Sequence, residues 1–168
     1  PSIGHGWTPE KGFIPSDWKG YNEAMLVYLL ALGSPTRPVK PAAYDAWLST
    51  YDQHSWGESH GQTFLRFPPL FGHQFTHCWV DFRGIRDRYM AAKGFDYFEN
   101  SRRATCVQRD YAAANPLGWQ GYSDEVWGVS ASDGPADVTL PYTTTAGKTE
   151  PRRFISYAGR GMGLYDDG

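Results

Sequence analysis

The sequence has few of the features that mark a disulfide scaffold, a membrane helix or a nucleic-acid binder. Only two cysteines occur in 168 residues, Cys78 and Cys106, and both fall in segments predicted to be helical. We therefore expect two small buried side chains rather than a disulfide framework. No apolar run approaches the roughly 18 residues that a membrane-spanning helix needs. The 16 Lys and Arg stand against 18 Asp and Glu without a basic run, so no nucleic-acid partner is expected.

The short motifs of several enzyme classes are also missing. No Gly-x-Ser-x-Gly occurs, which argues against a Ser-His-Asp hydrolase. The glycines between residues 159 and 163 are not followed by Lys and Ser or Thr, so they do not make a phosphate-binding loop. His73 and His77 have the spacing of two zinc ligands, but Gln74 stands where zinc proteases carry Glu. Neither a metal ion nor a cofactor is therefore expected.

Aromatic residues, in contrast, are abundant. The chain contains 7 Trp, 11 Tyr and 9 Phe, which together make 16% of its residues. Aromatic faces stack on the apolar faces of sugar rings, so this content fits carbohydrate recognition. It fits a large, densely packed core equally well.

The hydrophobic pattern predicts four helices, at residues 21–32, 42–51, 69–93 and 96–115. The first is apolar on nearly every side, so we expect other elements to surround it. Residues 1–19 and 52–69 are expected to be loops. Beyond residue 117 the pattern indicates loops with a short strand around residues 138–140.

The order of these helices favours one architecture. Antiparallel pairs, in which one helix is apolar all round and the next is amphipathic, are typical of the inner and outer rings of an α/α barrel. The fold class is therefore expected to be all-α, with two helix pairs and long loops. Four helices do not close such a ring, and the chain begins at Pro1 without Met. We expect residues 1–168 to be part of one catalytic domain, truncated at both ends.

The stretch from residue 69 to residue 83 combines packing residues with polar, site-like ones. At about 3.6 residues per turn, its aromatic residues share one helical face while His73, His77 and Asp81 share another. A helix of this kind is typical of the wall of a cleft. The aromatic face also suits ordinary core packing, and a histidine on a buried helix is often a hydrogen-bonded structural residue.

Two carboxylates are candidates for acid–base chemistry. Glu23 follows Tyr21 and Asn22 and is predicted to lie in the first turn of the apolar helix, at the rim of a buried core. If burial favours its protonated form, it is a proton donor of the kind that glycosidases use, and the alternative is a helix cap. Asp133 ends a near-apolar run that begins at Trp127, which suits a functional position, although Asp before Gly-Pro is also ordinary turn chemistry.

Four segments resemble the glucoamylase-like domain family that contains bacterial endo-β-1,2-glucanases. They are residues 20–35 (GYNEAMLVYLLALGSP), 68–84 (PPLFGHQFTHCWVDFRG), 96–105 (DYFENSRRAT) and 126–135 (VWGVSASDGP). Beyond residue 135 the resemblance is confined to residues 165–168 (YDDG). The resemblance implies an (α/α)6 barrel and hydrolysis of β-1,2-glucan with inversion, in a periplasmic or extracellular protein.

The same resemblance implies roles for individual residues. Glu23 matches an essential acid of the family and would protonate the leaving glycosidic oxygen. Asp133 is the candidate base, which in an inverting enzyme lies about 6.5–9.5 Å from the acid; other functional acids of the family precede this region. The positions expected to bind sugar are Tyr21, Asn22, His73, His77, Asp81 and Trp127. Residues 123–125 (SDE) depart from the family pattern, so they receive no role.

Other functions stay open at this point. A transglycosylase or cyclising domain acting on β-1,2-glucan would use the same cleft. A polysaccharide lyase would use Tyr or His as its base, and a non-catalytic carbohydrate-binding or structural helical module would need no acid pair. The expected partner is an oligosaccharide or polysaccharide, together with the rest of the barrel.

Overall fold

The computed structural model describes residues 2–162, so the YDDG segment at residues 165–168 lies outside the described part. Within that range there are four α-helices: α1 (Met25–Leu32), α2 (Ala42–Leu48), α3 (Arg88–Lys93) and α4 (Tyr97–Ala114). Shorter helical turns lie between α2 and α3, namely a π-helix at Tyr51–Ser55 and 3-10 helices at Leu70–His73 and Thr76–Cys78. The helix predicted at residues 96–115 is confirmed almost to the residue. The one predicted at residues 21–32 ends as expected but begins four residues later, and the one predicted at residues 42–51 is shorter.

Ten short strands accompany the helices in the described range, and each pairs antiparallel with one other strand. The pairs are β1 (Ile3–Gly4) with β4 (Asp17–Trp18), β2 (Trp7–Thr8) with β3 (Gly12–Phe13), β5 (Trp56–Ser59) with β6 (Gln62–Leu65), β7 (Ala131–Asp133) with β10 (Tyr157–Gly159), and β8 (Val138–Thr143) with β9 (Thr149–Phe154). The expected all-α class, as part of an (α/α)6 barrel, is therefore wrong. The described chain is mixed α/β.

Tight turns explain why segments predicted to be loops contain strands. Between β5 and β6 the chain reverses at His60 and Gly61, whose φ angles are +45° and +71°. Two adjacent residues with positive φ are what a type I′ hairpin turn requires, and its twist matches that of the flanking strands. The strand predicted near residues 138–140 is confirmed as the start of β8.

The main core lies where α1, α2 and the Tyr51–Ser55 turn meet α3 and the start of α4. Its fully buried large side chains include Tyr28, Trp47, Tyr51, Met90 and Tyr97. Many aromatic residues of the sequence are thus used for packing, where each buries roughly 150–250 Å².

Two expectations about burial are not met within the described residues. Helix α1 is not surrounded there, since Val27 and Leu30 are 40% and 67% exposed. Cys106 is half-buried in α4, but Cys78 is exposed at the end of a 3-10 turn. The expected burial of Cys78 is therefore wrong, because the continuous helix that would have turned it inward does not form.

Buried amides on α4 hold two neighbouring segments in place. Asn100 bonds both the N–H and the carbonyl oxygen of Leu65, at 2.7 and 3.2 Å. Gln108 donates to the carbonyl oxygen of Pro68 at 2.8 Å and accepts from the N–H of Val129 at 3.0 Å. Because buried amides of this kind satisfy backbone groups that would otherwise be unpaired, they fix both segments against the same helix.

Candidate functional site

Glu23 lies in the turn that leads into α1, two residues before the first helical residue. The prediction that it sits in the first turn is wrong, and no side chain caps the start of this helix. Asn22 closes the turn, since its Oδ1 accepts a hydrogen bond from the N–H of Ala24 at 2.9 Å. The hydroxyl of Thr76 donates to the backbone carbonyl of Glu23 at 3.4 Å and so joins this turn to the Thr76–Cys78 helix.

The carboxylate of Glu23 has no structural use that the described residues reveal. Its Oε2 atom is buried, and no group in residues 2–162 donates a hydrogen bond to it. Leaving a buried polar atom unpaired costs about 1–3 kcal/mol, and more for a charged group. This oxygen is therefore available to a polar group of a bound molecule.

The segment of residues 69–83 does not form the predicted helix. Its two 3-10 turns are followed by an irregular stretch that leads to α3. Gly72 is needed in the first turn, because a Cβ atom there would overlap the ring of Phe67. The aromatic face is also absent, since Phe82 is buried whereas Phe75 is 46% exposed.

His73 is a core residue. It is 1% exposed, and its Nε2 atom lies 3.2 Å from the backbone nitrogen and 3.0 Å from the carbonyl oxygen of Phe67. Its Nδ1 atom is buried and has no hydrogen-bond partner among the described residues. Burial lowers the pKa of His73 to about 4, so the imidazole is neutral at physiological pH.

Tyr21 lies against His73 in the same core. Their ring centroids are 5.1 Å apart, and the ring of Tyr97 stacks on Tyr21 at 6.2 Å. Burial raises the pKa of Tyr21 to about 12, while hydrogen bonds with Ser101 and Asn100 act in the opposite direction. The phenol therefore stays protonated and can donate a hydrogen bond.

His77 and Asp81 have different surroundings from His73. His77 is half-buried, and its Nε2 atom lies 2.9 Å from the hydroxyl oxygen of Ser101. Asp81 is exposed and forms two hydrogen bonds of 3.1 Å with the guanidinium of Arg83. The polar helical face predicted for these three residues therefore does not form. His73 lies in the core, His77 is half-buried and Asp81 lies on the surface.

Trp127 and Asp133 meet at a separate pocket of about 370 Å³. Trp127 is 39% exposed, and Asp133 is the exposed last residue of β7, opposite Tyr157 of β10. Below them the buried Arg160 donates hydrogen bonds to backbone carbonyl oxygens, including that of Ser132. The pocket has an aromatic wall, a carboxylate and a guanidinium, a combination suited to a polyhydroxylated ligand.

The two groups of predicted residues are joined by the 3-10 segment. The N–H of Leu70 donates to the carbonyl oxygen of Val129 at 3.0 Å, and the N–H of Phe71 to the hydroxyl of Ser130 at 3.2 Å. The other end of the segment reaches Glu23 through Thr76. Glu23 itself does not line the pocket that holds Asp133.

Three buried polar residues that the sequence reasoning did not single out support these positions: Ser101, Gln108 and Arg160. The first two were detectable, because they fall on the buried stripe of α4 at helical spacing among apolar residues. Arg160 follows a glycine and lies in a loop, and no local pattern indicates its burial.

The buried neutral state of His73 predicts a dependence of stability on pH. Its pKa falls from 6.5 to about 4 on folding, so the unfolded chain binds more protons between these values. The contribution of His73 to the free energy of unfolding is therefore fully present above pH 6.5. As the pH falls towards 4, the free energy of unfolding decreases by about 3 kcal/mol. Urea titrations across this range should show the loss in the wild-type protein and a flatter profile in His73→Asn.

The exposed His54 offers the matched control for that measurement. His54→Asn should keep the wild-type dependence on pH. An unaltered pH profile in His73→Asn would show that other groups cause the loss of stability.

Among residues 2–162, no group of three or more His, Cys, Asp or Glu side chains is arranged to hold a metal ion. No helix in the same range combines the length and apolar character that crossing a bilayer requires.

Comparisons with known proteins give a consistent result. The family described as "Glycoamylase: Putative glucoamylase" matches residues 15–168. A curated relative is the exo beta-1,2-glucooligosaccharide sophorohydrolase (non-reducing end) of Parabacteroides distasonis, which is 24% identical over 150 residues covering 76% of this chain and 20% of that protein.

Solved structures resemble the chain along most of its length. A putative glucoamylase from Bacteroides caccae has a TM-score of 0.73 and 28% identity, over 99% of this chain and 37% of that one. One from Bacteroides uniformis has a TM-score of 0.67 and 32% identity, over 76% and 32% of the two chains. An endo-beta-1,2-glucanase from Chitinophaga pinensis, in complex with sophorotriose and glucose, shares the fold with a TM-score of 0.71 and 23% identity, over 99% and 36%. The chain thus spans between 20% and 37% of the length of these proteins.

Proposed function

Because the chain belongs to the glucoamylase-like family, we propose that residues 1–168 form part of the catalytic domain of a glycoside hydrolase that cleaves β-glucan. We further propose that the glucan is β-1,2-linked and that the mechanism inverts the anomeric centre. Two of the similar proteins support the linkage, since their names describe action on β-1,2-linked glucose chains. One of them is named as an exo-acting and the other as an endo-acting enzyme, so either mode is compatible with the proposal.

The observation that carries this proposal is the buried, unpaired Oε2 atom of Glu23. A general acid needs a carboxyl group that is shielded from water and is not neutralised by a fixed cation. No ion pair of Glu23 occurs in the described residues, and its turn is closed by Asn22 and Thr76 instead. The carboxyl group is therefore placed to meet the glycosidic oxygen of a bound substrate.

In the proposed reaction the protonated carboxyl of Glu23 donates its proton to the glycosidic oxygen as the bond from that oxygen to the anomeric carbon breaks. A water molecule attacks the same carbon from the opposite face. A carboxylate, for which Asp133 is the candidate, accepts a proton from that water. A β-linked substrate then gives a product with an α-configured reducing end.

The pocket of Trp127 and Asp133 supports the proposal that this part of the protein binds sugar. Its volume of about 370 Å³ falls within the roughly 300–1,000 Å³ range of small-molecule sites. The half-exposed ring of Trp127 suits stacking on a pyranose face, and hydroxyl groups of the sugar would meet Asp133.

Product analysis of the full-length protein with linear β-1,2-glucan tests the proposal. Proton NMR during the first minutes should show the α-anomer as the initial product, before mutarotation. A β-anomer would exclude inversion, and longer or cyclic chains would indicate a transglycosylase or cyclising enzyme. An unsaturated product that absorbs in the ultraviolet would indicate a lyase, and binding without turnover would indicate a carbohydrate-binding module.

A further inference from the structure

Ser101 contacts His77, one of the predicted substrate-binding residues. It lies on the buried face of α4 and is 8% exposed. Its hydroxyl oxygen is 2.9 Å from Nε2 of His77. His77 belongs to the Thr76–Cys78 helix, whose Thr76 bonds the carbonyl oxygen of Glu23, so Ser101 connects α4 with the segment that holds the turn of the proposed acid.

The hydroxyl of Ser101 and the imidazole of His77 can form a directed hydrogen bond. A serine hydroxyl donates one hydrogen bond and accepts up to two. Ser101 can therefore donate its hydroxyl proton to Nε2 of His77. That arrangement makes Nε2 the acceptor and leaves the proton of neutral His77 on Nδ1.

We propose that Ser101 is a positioning residue of the active site, which fixes the ring orientation and tautomer of His77. This inference rests on the proposed function for its catalytic consequence. The other buried polar residues on the same face of α4 differ from Ser101, because Asn100 and Gln108 bond backbone groups of Leu65, Pro68 and Val129. Those backbone bonds hold the fold, whereas the hydroxyl of Ser101 contacts the side chain of His77.

The charged groups around His77 determine how its titration reports on Ser101. Burial lowers the pKa of His77, and the nearby carboxylates of Asp81 and Asp96 act in the opposite direction. The neutral His73 lies on the preceding turn. Loss of the Ser101 hydroxyl removes a donor that favours the neutral imidazole, so the pKa of His77 should rise in Ser101→Ala.

The test compares Ser101→Ala with Ser101→Thr, which keeps the hydroxyl, and with Thr105→Val. Thr105 lies one turn further along α4. Its hydroxyl donates to the backbone carbonyl oxygen of Ser101 and does not bond the Ser101 hydroxyl. We expect kcat to fall about 10-fold in Ser101→Ala with a smaller change in KM, and to recover in Ser101→Thr. Nitrogen NMR of the full-length protein should show one His77 tautomer in the wild type and a mixture of tautomers with a raised pKa in Ser101→Ala.

The NMR measurement needs no substrate, so it separates this inference from the proposed function. If the wild-type protein does not cleave β-1,2-glucan but the His77 signals change in Ser101→Ala, only the proposed function is contradicted. Unchanged His77 signals in Ser101→Ala would overturn the inference. An equal loss of kcat in Thr105→Val would also overturn it, because it would assign the effect to the stability of α4.

Discussion

Glu23→Gln should reduce hydrolysis of β-1,2-glucan by about 10³-fold in kcat, because it removes the only proton that the proposed acid supplies to the leaving group. Glutamine has nearly the same shape and can occupy the buried site of the carboxyl group. The substitution also leaves the contact with Thr76 intact, because Thr76 bonds the backbone carbonyl of Glu23 and not its side chain. The loss should therefore appear in the rate of reducing-sugar release and not in the urea midpoint of the protein.

Two comparisons make this result specific. Glu10→Gln changes an exposed acid in the turn between β2 and β3 and should leave the rate unchanged. An aryl glycoside with a strongly acidic leaving group needs little protonation, so Glu23→Gln should retain much more activity on it than on the glucan. Full activity of Glu23→Gln on β-1,2-glucan would remove Glu23 from the role of acid.

The sequence was sufficient to propose Glu23 as a candidate acid but not to place it in the structure. The apolar run after residue 24 predicts α1 correctly, and the glutamate next to that run is visible without a structure. Its exact position depends on Asn22, whose side chain bonds the N–H of Ala24 and starts the helix later than the hydrophobic pattern indicates. Side-chain to backbone bonds of this kind shift helix starts by one or two residues, which a periodicity argument does not detect.

The helix predicted at residues 69–93 forms only at its end, as α3, and the failure of the rest has a different physical cause. Its apolar residues and histidines recur at helical spacing, but they differ in burial and have unrelated surroundings. Phe82 packs into the main core, His73 bonds the backbone of Phe67, and Phe75 points to the surface. Gly72 and Gly84 also weaken a continuous helix, and Gly84 has a φ of +74°. A regular spacing of apolar residues is thus not sufficient evidence for a helix when glycines interrupt it.

Long-range contacts account for most of what the sequence did not reveal about the site. The helix α4 was predicted well, because Asp96 caps its start by accepting from the N–H of Glu99 at 2.7 Å. The partners of its buried polar residues were not predictable, because Gln108 reaches Pro68, 40 residues away. Such pairings depend on how distant segments pack, and no local pattern encodes them.

One buried network of the core carries the second large prediction. Asp87 accepts hydrogen bonds from the hydroxyl of Tyr44, at 2.7 Å, and from that of Tyr97. Its other oxygen accepts from the N–H of Met90 at 2.8 Å and so caps α3. Burial raises the pKa of both tyrosines above the ordinary value, and the carboxylate of Asp87 raises it further. The phenols therefore remain donors, and Asp87 joins α2, α3 and α4.

Asp87→Ala should lower the free energy of unfolding by about 4 kcal/mol, because it removes two charge-assisted hydrogen bonds and a helix cap while leaving two buried phenols without their acceptor. Urea titration of the full-length protein at neutral pH, followed by tryptophan fluorescence, measures this loss. Asp45→Ala is the matched control, since Asp45 is an exposed carboxylate on α2 whose ion pair with Arg88, at 2.9 Å, is also exposed. The control should cost less than about 1 kcal/mol. Asp87→Asn keeps an acceptor oxygen and should lie between the two, whereas equal effects of Asp87→Ala and Asp45→Ala would show that the tyrosine network does not stabilise the fold.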